Sequence, residues 1–457
     1  MGSSDTICAL ATPPGEAGLG IIRLSGSDAI SVVAKFFQGK QDLLKAKSHR
    51  VFYGKLIHPE TQETIAEVMC AIMKSPHSYT GENVVEVSAH GNPLLLQRIL
   101  QIFLSSGCRL AENGEFTKRA FLNGKLDLSQ AEAVIQVVRA KTSSALTMAV
   151  QHLEGKLGRH LKEIRKKILA ILSPIEAGID FPEEEVPEVS SQGLKEDIIE
   201  VIEQIQELLK TAASGKILRE GVSAIIAGKP NVGKSSLFNA LLRESRAIVT
   251  PIPGTTRDSL EEWADIKGIP VKFVDTAGLR NTRSRVEKIG IARSRESLAK
   301  GELVLVVLDQ SGKLESYDLE LLNIAQKKRG IAVLNKSDLS SALDLQKIRE
   351  AYKGELVSVS ALHNQGIQEL EEKIADILME GQIHSDTPMI TLMRHQACLE
   401  RTVHFLTESL GTLEKNYPLD LAAADLRGAA ETIGEITGDY YTDDLIEKIF
   451  SDFCIGK

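Results

Sequence analysis

Apolar residues in the middle of the chain come in short, nearly unbroken runs at 222–227, 271–274, 303–308, 331–334 and 357–360. Runs this short predict buried strands of a sheet covered on both faces. The segments between them, 234–243, 286–299, 317–328 and 366–379, repeat their apolar positions every three or four residues and predict helices. A further strand is expected over 259–266. Strand and helix in alternation from about 223 to 379 predict a doubly wound α/β domain with a mostly parallel sheet.

The flanks follow other patterns. Residues 127–216 are helical in period, broken by an acidic, proline-bracketed loop at 181–187, and 392–450 are helical again. Helix before and helix after predict that the α/β domain is inserted into one helical domain. Residues 1 to about 120 carry short β-like segments at 20–24, 51–57 and 84–89, glycine turns and a helix near 93–105, which reads as a separate α+β domain. The expected fold is therefore multidomain: an α+β domain at 1–120, an all-α domain in two parts at 121–217 and 383–457, and an inserted α/β P-loop domain at 218–382.

Composition narrows the setting. A chain of 457 residues is too long for one core, and 43% hydrophobic with 25% charged residues is a globular balance. No run of eighteen apolar residues and no charged-then-apolar leader occurs, so neither a membrane span nor a secretory signal is expected, and a cytoplasmic location is. Cys8, Cys70, Cys108, Cys398 and Cys454 are scattered without a CxxC pair, so neither disulfides nor zinc are expected. The net charge of −8 gives no global attraction to nucleic acid. A local candidate is Lys156, Arg159, His160, Lys162, Arg165, Lys166 and Lys167 on one helical stretch, which a solvated helix face explains equally well.

The chemistry begins behind the first strand. Gly228 to Ser235 reads GKPNVGKS, the GxxxxGK[ST] pattern. A strand running through a glycine loop into a helix converges backbone N–H groups on one anion. Lys234 can reach β- and γ-phosphates, and the Ser235 hydroxyl can ligate Mg²⁺. Later segments follow in the order of a guanine-nucleotide switch. Thr256, within Gly254-Thr-Thr-Arg-Asp258, can complete Mg²⁺ coordination, and 248–258 then form a switch segment ordered by the γ-phosphate. Asp275-Thr-Ala-Gly278 offers a carboxylate towards Mg²⁺ and an N–H towards the γ-phosphate. Asp338, in Asn335-Lys-Ser-Asp338, can accept two hydrogen bonds from guanine, a donor pair that adenine lacks. Ser360, Ala361 and Leu362 supply the last loop beside the base.

Where small switch GTPases place a water-orienting glutamine, this chain has Leu279, which cannot hydrogen-bond water. The carboxylate in the following stretch is Glu287, read either as the water-orienting group or as a solvated residue at a helix start.

These motifs, with Ala89-His-Gly91, Gly114-Glu-Phe116, Ala120-Phe-Leu-Asn123 and the terminal Phe453-Cys-Ile-Gly-Lys457, resemble the MnmE (TrmE) family of tRNA-modification GTPases over the whole chain. The resemblance implies a homodimer that binds GTP, Mg²⁺, K⁺ and a tetrahydrofolate derivative. It also implies a heterotetramer with an FAD-dependent partner, MnmG, that modifies C5 of the wobble uridine of tRNA. Carried over by position, the GTP contacts are Asn231, Val232, Gly233, Lys234, Ser235 and Ser236. Thr250, Pro251, Ile252, Pro253, Gly254, Thr255 and Thr256 follow, then Asp275, Thr276, Ala277 and Gly278. Asn335, Lys336, Asp338, Ser360, Ala361 and Leu362 complete the set. Mg²⁺ falls to Ser235 and Thr256, and K⁺, a charge substitute for an arginine finger, to Asn231, Thr250, Ile252 and Thr255. Folate contacts fall on Arg23, Glu86, Lys125 and Lys457, which without the resemblance read as ordinary surface charges. Cys454 beside them is either a thiol with chemistry or a small structural residue, and Glu287 takes the catalytic position. Two other classes stay open: a GTP-gated binding module for ribosome assembly, and a folate-dependent transferase whose G domain is regulatory.

Overall fold

The structure is a computed structural model that describes residues 5–180, 191–244, 262–274, 301–379 and 388–457. Its first sheet holds β1 (Ile7–Leu10), β2 (Ala17–Ser25), β3 (Phe37–Gly39), β4 (Arg50–Ile57), β5 (Thr64–Met73), β6 (Val84–Gly91) and β7 (Arg109–Leu110), in the order β3-β4-β5-β6-β2-β1-β7. Neighbours are antiparallel except β1 with β7. Alternation sets the faces: β5 turns Val68, Cys70 and Ile72 inward and Glu67 and Met69 outward. The helix Pro93–Ser105 covers the inner face with Leu96, Ile99 and Phe103. Asn92 caps it, accepting from the Leu94 and Leu95 N–H groups at 3.0 and 3.2 Å.

Helices Leu128–Arg139, Ser143–Leu153, Lys156–Asp180, Ser191–Lys210 and Ala212–Glu220 lead to the second sheet, and Met393–Glu414, Leu419–Thr437 and Asp443–Ser451 follow it. Leu157, Leu161, Ile164, Ile168, Ile171 and Ile175 form one stripe, at helical spacing, on Lys156–Asp180. That stripe packs into the same core as Leu399 and Leu406 of the Met393–Glu414 helix and Leu426, Ala429 and Ile433 of the Leu419–Thr437 helix. One helical core is thus closed by chain from both sides of the second sheet.

The second sheet has β8 (Val222–Ala227), β9 (Glu262–Ile266), β10 (Ile269–Phe273), β11 (Leu303–Asp309), β12 (Arg329–Asn335) and β13 (Glu355–Val359), ordered β13-β12-β11-β8-β10-β9. Every pairing is parallel except the β9–β10 hairpin. β11 sends Leu303, Leu305 and Val307 into one core and Val304, Val306 and Leu308 into another. Burial on both faces is why this strand reads as an unbroken apolar run.

The inserted sheet is mounted on the helices by backbone contacts. Thr142 donates its hydroxyl to Gly268 O in the β9–β10 turn at 2.7 Å. The Ile390 N–H bonds Thr211 Oγ1 at 2.9 Å, and His152 donates Nε2–H to Met389 O at 2.9 Å. Deeper in, Arg394 holds the nearly buried Glu132 by two hydrogen bonds of 3.0 and 2.7 Å, and His395 Nε2 meets the same carboxylate at 2.7 Å. Burial opposes the charge on Glu132, but His395 and Arg394 beside it outweigh burial and hold the carboxyl below its ordinary range.

Burial, with a smaller contribution from His395, pushes His152 down to about 4. The unfolded imidazole titrates near 6.5, so the unfolded state takes up this proton first. The stabilisation from neutral His152 is fully present above pH 6.5 and is lost between 6.5 and about 4, by roughly 3 kcal/mol. His152→Gln keeps an N–H for Met389 and should remove that share of the fall when urea unfolding is measured at pH 7 and pH 4.5. An undiminished fall would assign it to other groups.

Candidate functional site

The loop after β8 turns on three left-handed residues, Gly228 (φ 155°), Asn231 (φ 63°) and Gly233 (φ 95°). At Gly233 a Cβ would lie 2.1 Å from Asn335 Nδ2, so glycine is required by contact as well as by conformation. Asn335, at the end of β12, donates to Val232 O at 2.8 Å and accepts from the Ala361 N–H at 3.1 Å. One buried amide therefore ties the first loop to the last. The loop ends where the Lys234–Glu244 helix begins, with Ser235 and Ser236 in its first turn. The first-turn N–H groups and the helix dipole make this an anion site.

Lys234 lies back across the loop, donating to Gly228 O at 2.8 Å and Lys229 O at 2.6 Å. Burial pushes its ammonium below the usual lysine range. An anionic phosphate would stabilise that charge better than neutral carbonyls do. Lys229 points away from the cradle, pairing with the nearly buried Asp318 at 2.9 Å and with Glu315 at 3.1 Å. The three left-handed residues, the helix N-terminus and a cation that meets loop carbonyls among the described residues fit a polyphosphate.

At the same edge of the sheet, Asp338 accepts from the Ser360 hydroxyl at 2.6 Å. That bond, ahead of all other influences, holds its carboxyl below the usual range. Its side chain is 24% exposed and ionised, so it stands ready to accept two N–H donors from an arriving base. Lys336 (φ 66°) pairs with Asp309 at 2.6 Å. Leu362 is 79% exposed beside the buried Ser360. Asp309 did not figure among the sequence candidates, although a carboxylate closing an apolar strand run was the signal that could have found it.

The expected Thr250, Pro251, Ile252, Pro253, Gly254, Thr255 and Thr256, with Asp275, Thr276, Ala277, Gly278 and Glu287, lie outside the described residues, as do the 286–299 helix and the 181–187 loop.

A second cluster forms where the chain end meets the first sheet. Arg23 and Glu86 are directly opposed on β2 and β6, with Arg23 Nε donating to Glu86 at 2.8 Å. Arg23 Nη1 donates to Gly456 O at 3.1 Å, and its guanidinium lies 5.8 Å from the Tyr79 ring and 5.6 Å from Phe116. The Phe116 N–H donates to Lys457 O at 3.1 Å, which fixes the tail, while Cys454 is exposed beside it. Lys125 donates to Pro76 O at 3.2 Å, on the loop that carries Tyr79. Arg23 and Glu86 are paired beside the backbone of Gly456 and Lys457, and Lys125 bonds the loop that carries Tyr79. Tyr79 and Phe116 were missed as neighbours of Arg23, since nothing local in sequence joins the three.

A family model described as the MnmE helical domain matches residues 128–454, and one described as the GTP-binding protein TrmE N-terminus matches residues 6–125. The tRNA modification GTPase MnmE of Alkaliphilus oremlandii is 44% identical, and that of Thermoanaerobacter pseudethanolicus 46%, each covering 99% of this chain and 99% of the relative. The protein of the same description from Clostridioides difficile is 45% identical with the same coverage. Among solved structures, the G domain of the T. maritima FeoB iron transporter is 28% identical over 34% of this chain and 98% of its own, at a TM-score of 0.26, too low to carry weight. With a nucleotide cradle of this geometry and full-length relatives at this identity, the chain belongs to the MnmE family of tRNA modification GTPases.

Proposed function

We propose that this GTPase is stimulated by K⁺ and works as a homodimer whose G domains approach one another when GTP is bound. In this reading it acts with an FAD-dependent partner, MnmG, to add an aminomethyl or carboxymethylaminomethyl group at C5 of the wobble uridine of tRNA, in the cytoplasm. What supports the nucleotide-binding part of this reading is the Asn335 bridge from Val232 to Ala361, which ties the loop after β8 to the loop after β13. The division into 1–120, 121–217, 218–382 and 383–457 is part of the same proposal.

Each residue has a role there. Asn231 to Ser236 wrap the phosphates, with Lys234 leaving its loop carbonyls for the β- and γ-oxygens. Ser235 and Thr256 hold Mg²⁺, and Asn231, Thr250, Ile252 and Thr255 hold K⁺. The left-handed turn at Asn231 supports that assignment by lifting its amide on the exposed side of the loop. Both cations supply positive charge where charge develops between the β- and γ-phosphates. Glu287 orients the attacking water in place of the missing glutamine, and Asp275 to Gly278 and Thr250 to Thr256 close over the γ-phosphate. Asn335, Lys336, Asp338, Ser360, Ala361 and Leu362 frame the guanine. A tetrahydrofolate derivative sits at Arg23, Glu86, Lys125 and Lys457. Glu86 matches the donor edge of a pterin and the cations match its glutamate tail, although Arg23 must then share Glu86 with the ligand.

Nucleoside analysis of tRNA from cells lacking the protein should show an unmodified wobble uridine, and normal modification would end this reading. GTP turnover should be on the order of tenfold or more slower in Na⁺ than in K⁺. Glu287→Ala should bind GTP normally yet lose about a hundredfold in turnover; equal rates in either comparison would remove the corresponding role. Asn335→Ala leaves Val232 O and the Ala361 N–H without their partner and should weaken GDP binding by about 1–3 kcal/mol, read by titration with a fluorescent GDP.

A further inference from the structure

The helix Lys156–Asp180 opens on a segment whose charge is opposite to that of the chain. Between Lys156 and Lys167 there are six Lys and Arg against the single acid Glu163, in a protein of net charge −8. Structure sorts these cations into two groups. Lys167 pairs with Glu200 at 2.7 Å, Arg165 with Asp439 at 3.4 Å and Lys162 with Asp127 at 3.5 Å. Lys156, Arg159 and Lys166 are exposed and have no carboxylate partner among the described residues, and Arg159 donates only to Glu154 O, at 2.7 Å. Three cations are therefore left facing solvent along about 15 Å of helix.

The opposite face of the same helix is spent. Leu157, Leu161, Ile164 and Ile168 are buried in the helical core, so no apolar face remains to enter a lipid interface. What remains is a rigid row of positive charge, the footprint of a phosphate backbone. Its place in the fold matters as much. Gly158 packs on Asp127, where a Cβ would lie 2.3 Å from Oδ2, and Gln130 donates to Leu153 O at 2.9 Å. This fixes the start of the helix beside Lys125, two residues before Asp127, and so beside the loop that carries Tyr79 at the Arg23 cluster.

We propose that Lys156, Arg159 and Lys166 form a backbone-binding rail for tRNA, contacting phosphates rather than bases and leading the RNA towards the Arg23 cluster. The inference rests on the tRNA reading above and adds the surface that does the binding. Contacts of this kind position without selecting sequence, so they weaken uniformly as salt rises.

The test measures binding of a fluorescent unmodified tRNA transcript to the full chain by polarisation between 50 and 200 mM KCl. Lys156→Glu/Arg159→Glu/Lys166→Glu should bind about tenfold or more weakly at 100 mM, with a log–log salt slope shallower by roughly 2–3, the share of three phosphate contacts. Lys156→Gln/Arg159→Gln/Lys166→Gln should fall between it and the unmodified protein. The same charge change placed elsewhere, Lys327→Glu/Lys347→Glu/Lys353→Glu, should leave binding near normal, and GTP hydrolysis without tRNA reports that every variant is folded. Unchanged affinity and slope in the first triple variant would overturn the rail, and so would an equal loss in the G-domain control. Preferential binding of the unmodified protein to phosphatidylserine vesicles, abolished by the same three changes, would also overturn it. If the unmodified protein bound no tRNA at any salt, the failure would lie in the tRNA reading itself.

Discussion

The structure depends on one close crossing, where the chain enters and leaves the inserted sheet. Gly215, in the Ala212–Glu220 helix on the way in, faces Ile390 on the way out, and a Cβ there would lie 2.2 Å from Ile390 O. The Ile390 N–H is held by Thr211, one turn earlier in the same stretch. Ile390 is itself part of the helical core. A single hydrogen atom at position 215 thus lets the two connections lie side by side and lets the helices on both sides share one apolar interior. Packed interiors resist small displacements, so this crossing fixes the base on which the G domain stands.

The charges beside the crossing serve that geometry more than they serve stability. Glu132 belongs to the helices before the insert, and Arg394 and His395 to the helix after it. Burying a carboxylate is costly, and a well-packed apolar pair of the same volume could be as stable. An apolar pair would tolerate a slide, whereas the bidentate contact from Arg394 to Glu132 is satisfied in one register only. The nearby His152 adds a backbone tether to Met389, one residue before the crossing. Together these contacts set the rotation of the Met393–Glu414 helix relative to Leu128–Arg139.

What the sequence made legible follows the physics of burial. The runs at 222–227, 303–308, 331–334 and 357–360 fall on β8, β11, β12 and β13 because strands covered on both faces leave continuous apolar runs. The helix at Pro93–Ser105 is bounded as its Asn-Pro start announces. β1, β3, β5 and β7 were not foreseen. β3 and β7 are too short to show a period, and the small and buried residues of β5 blur its alternation. The turns at 228–235 and 335–338 were readable because each motif carries its own strand end, turn and side chains. The Arg23 cluster was not readable from residues alone, since its parts lie up to 433 positions apart and meet only after the tail has docked.

That docking gives the two sites a common foundation. Phe450 and Phe453 pack with Phe121 and Leu128, and Gly456 (φ 95°) lies so close to β1 that a Cβ would be 2.4 Å from Leu10 O. Gly438, just past the Leu419–Thr437 helix, presses on Phe121 and Leu128 in turn, a Cβ there falling 2.6 Å from the Phe121 ring. The helix that Gly438 ends shares its core with Ile390. A chain of packed contacts therefore runs from the mount of the G domain, through the Leu419–Thr437 helix and the aromatic cluster, to the tail that bonds Arg23. The mount of the G domain and the terminal cluster rest on one continuous set of buried contacts within the helical domain.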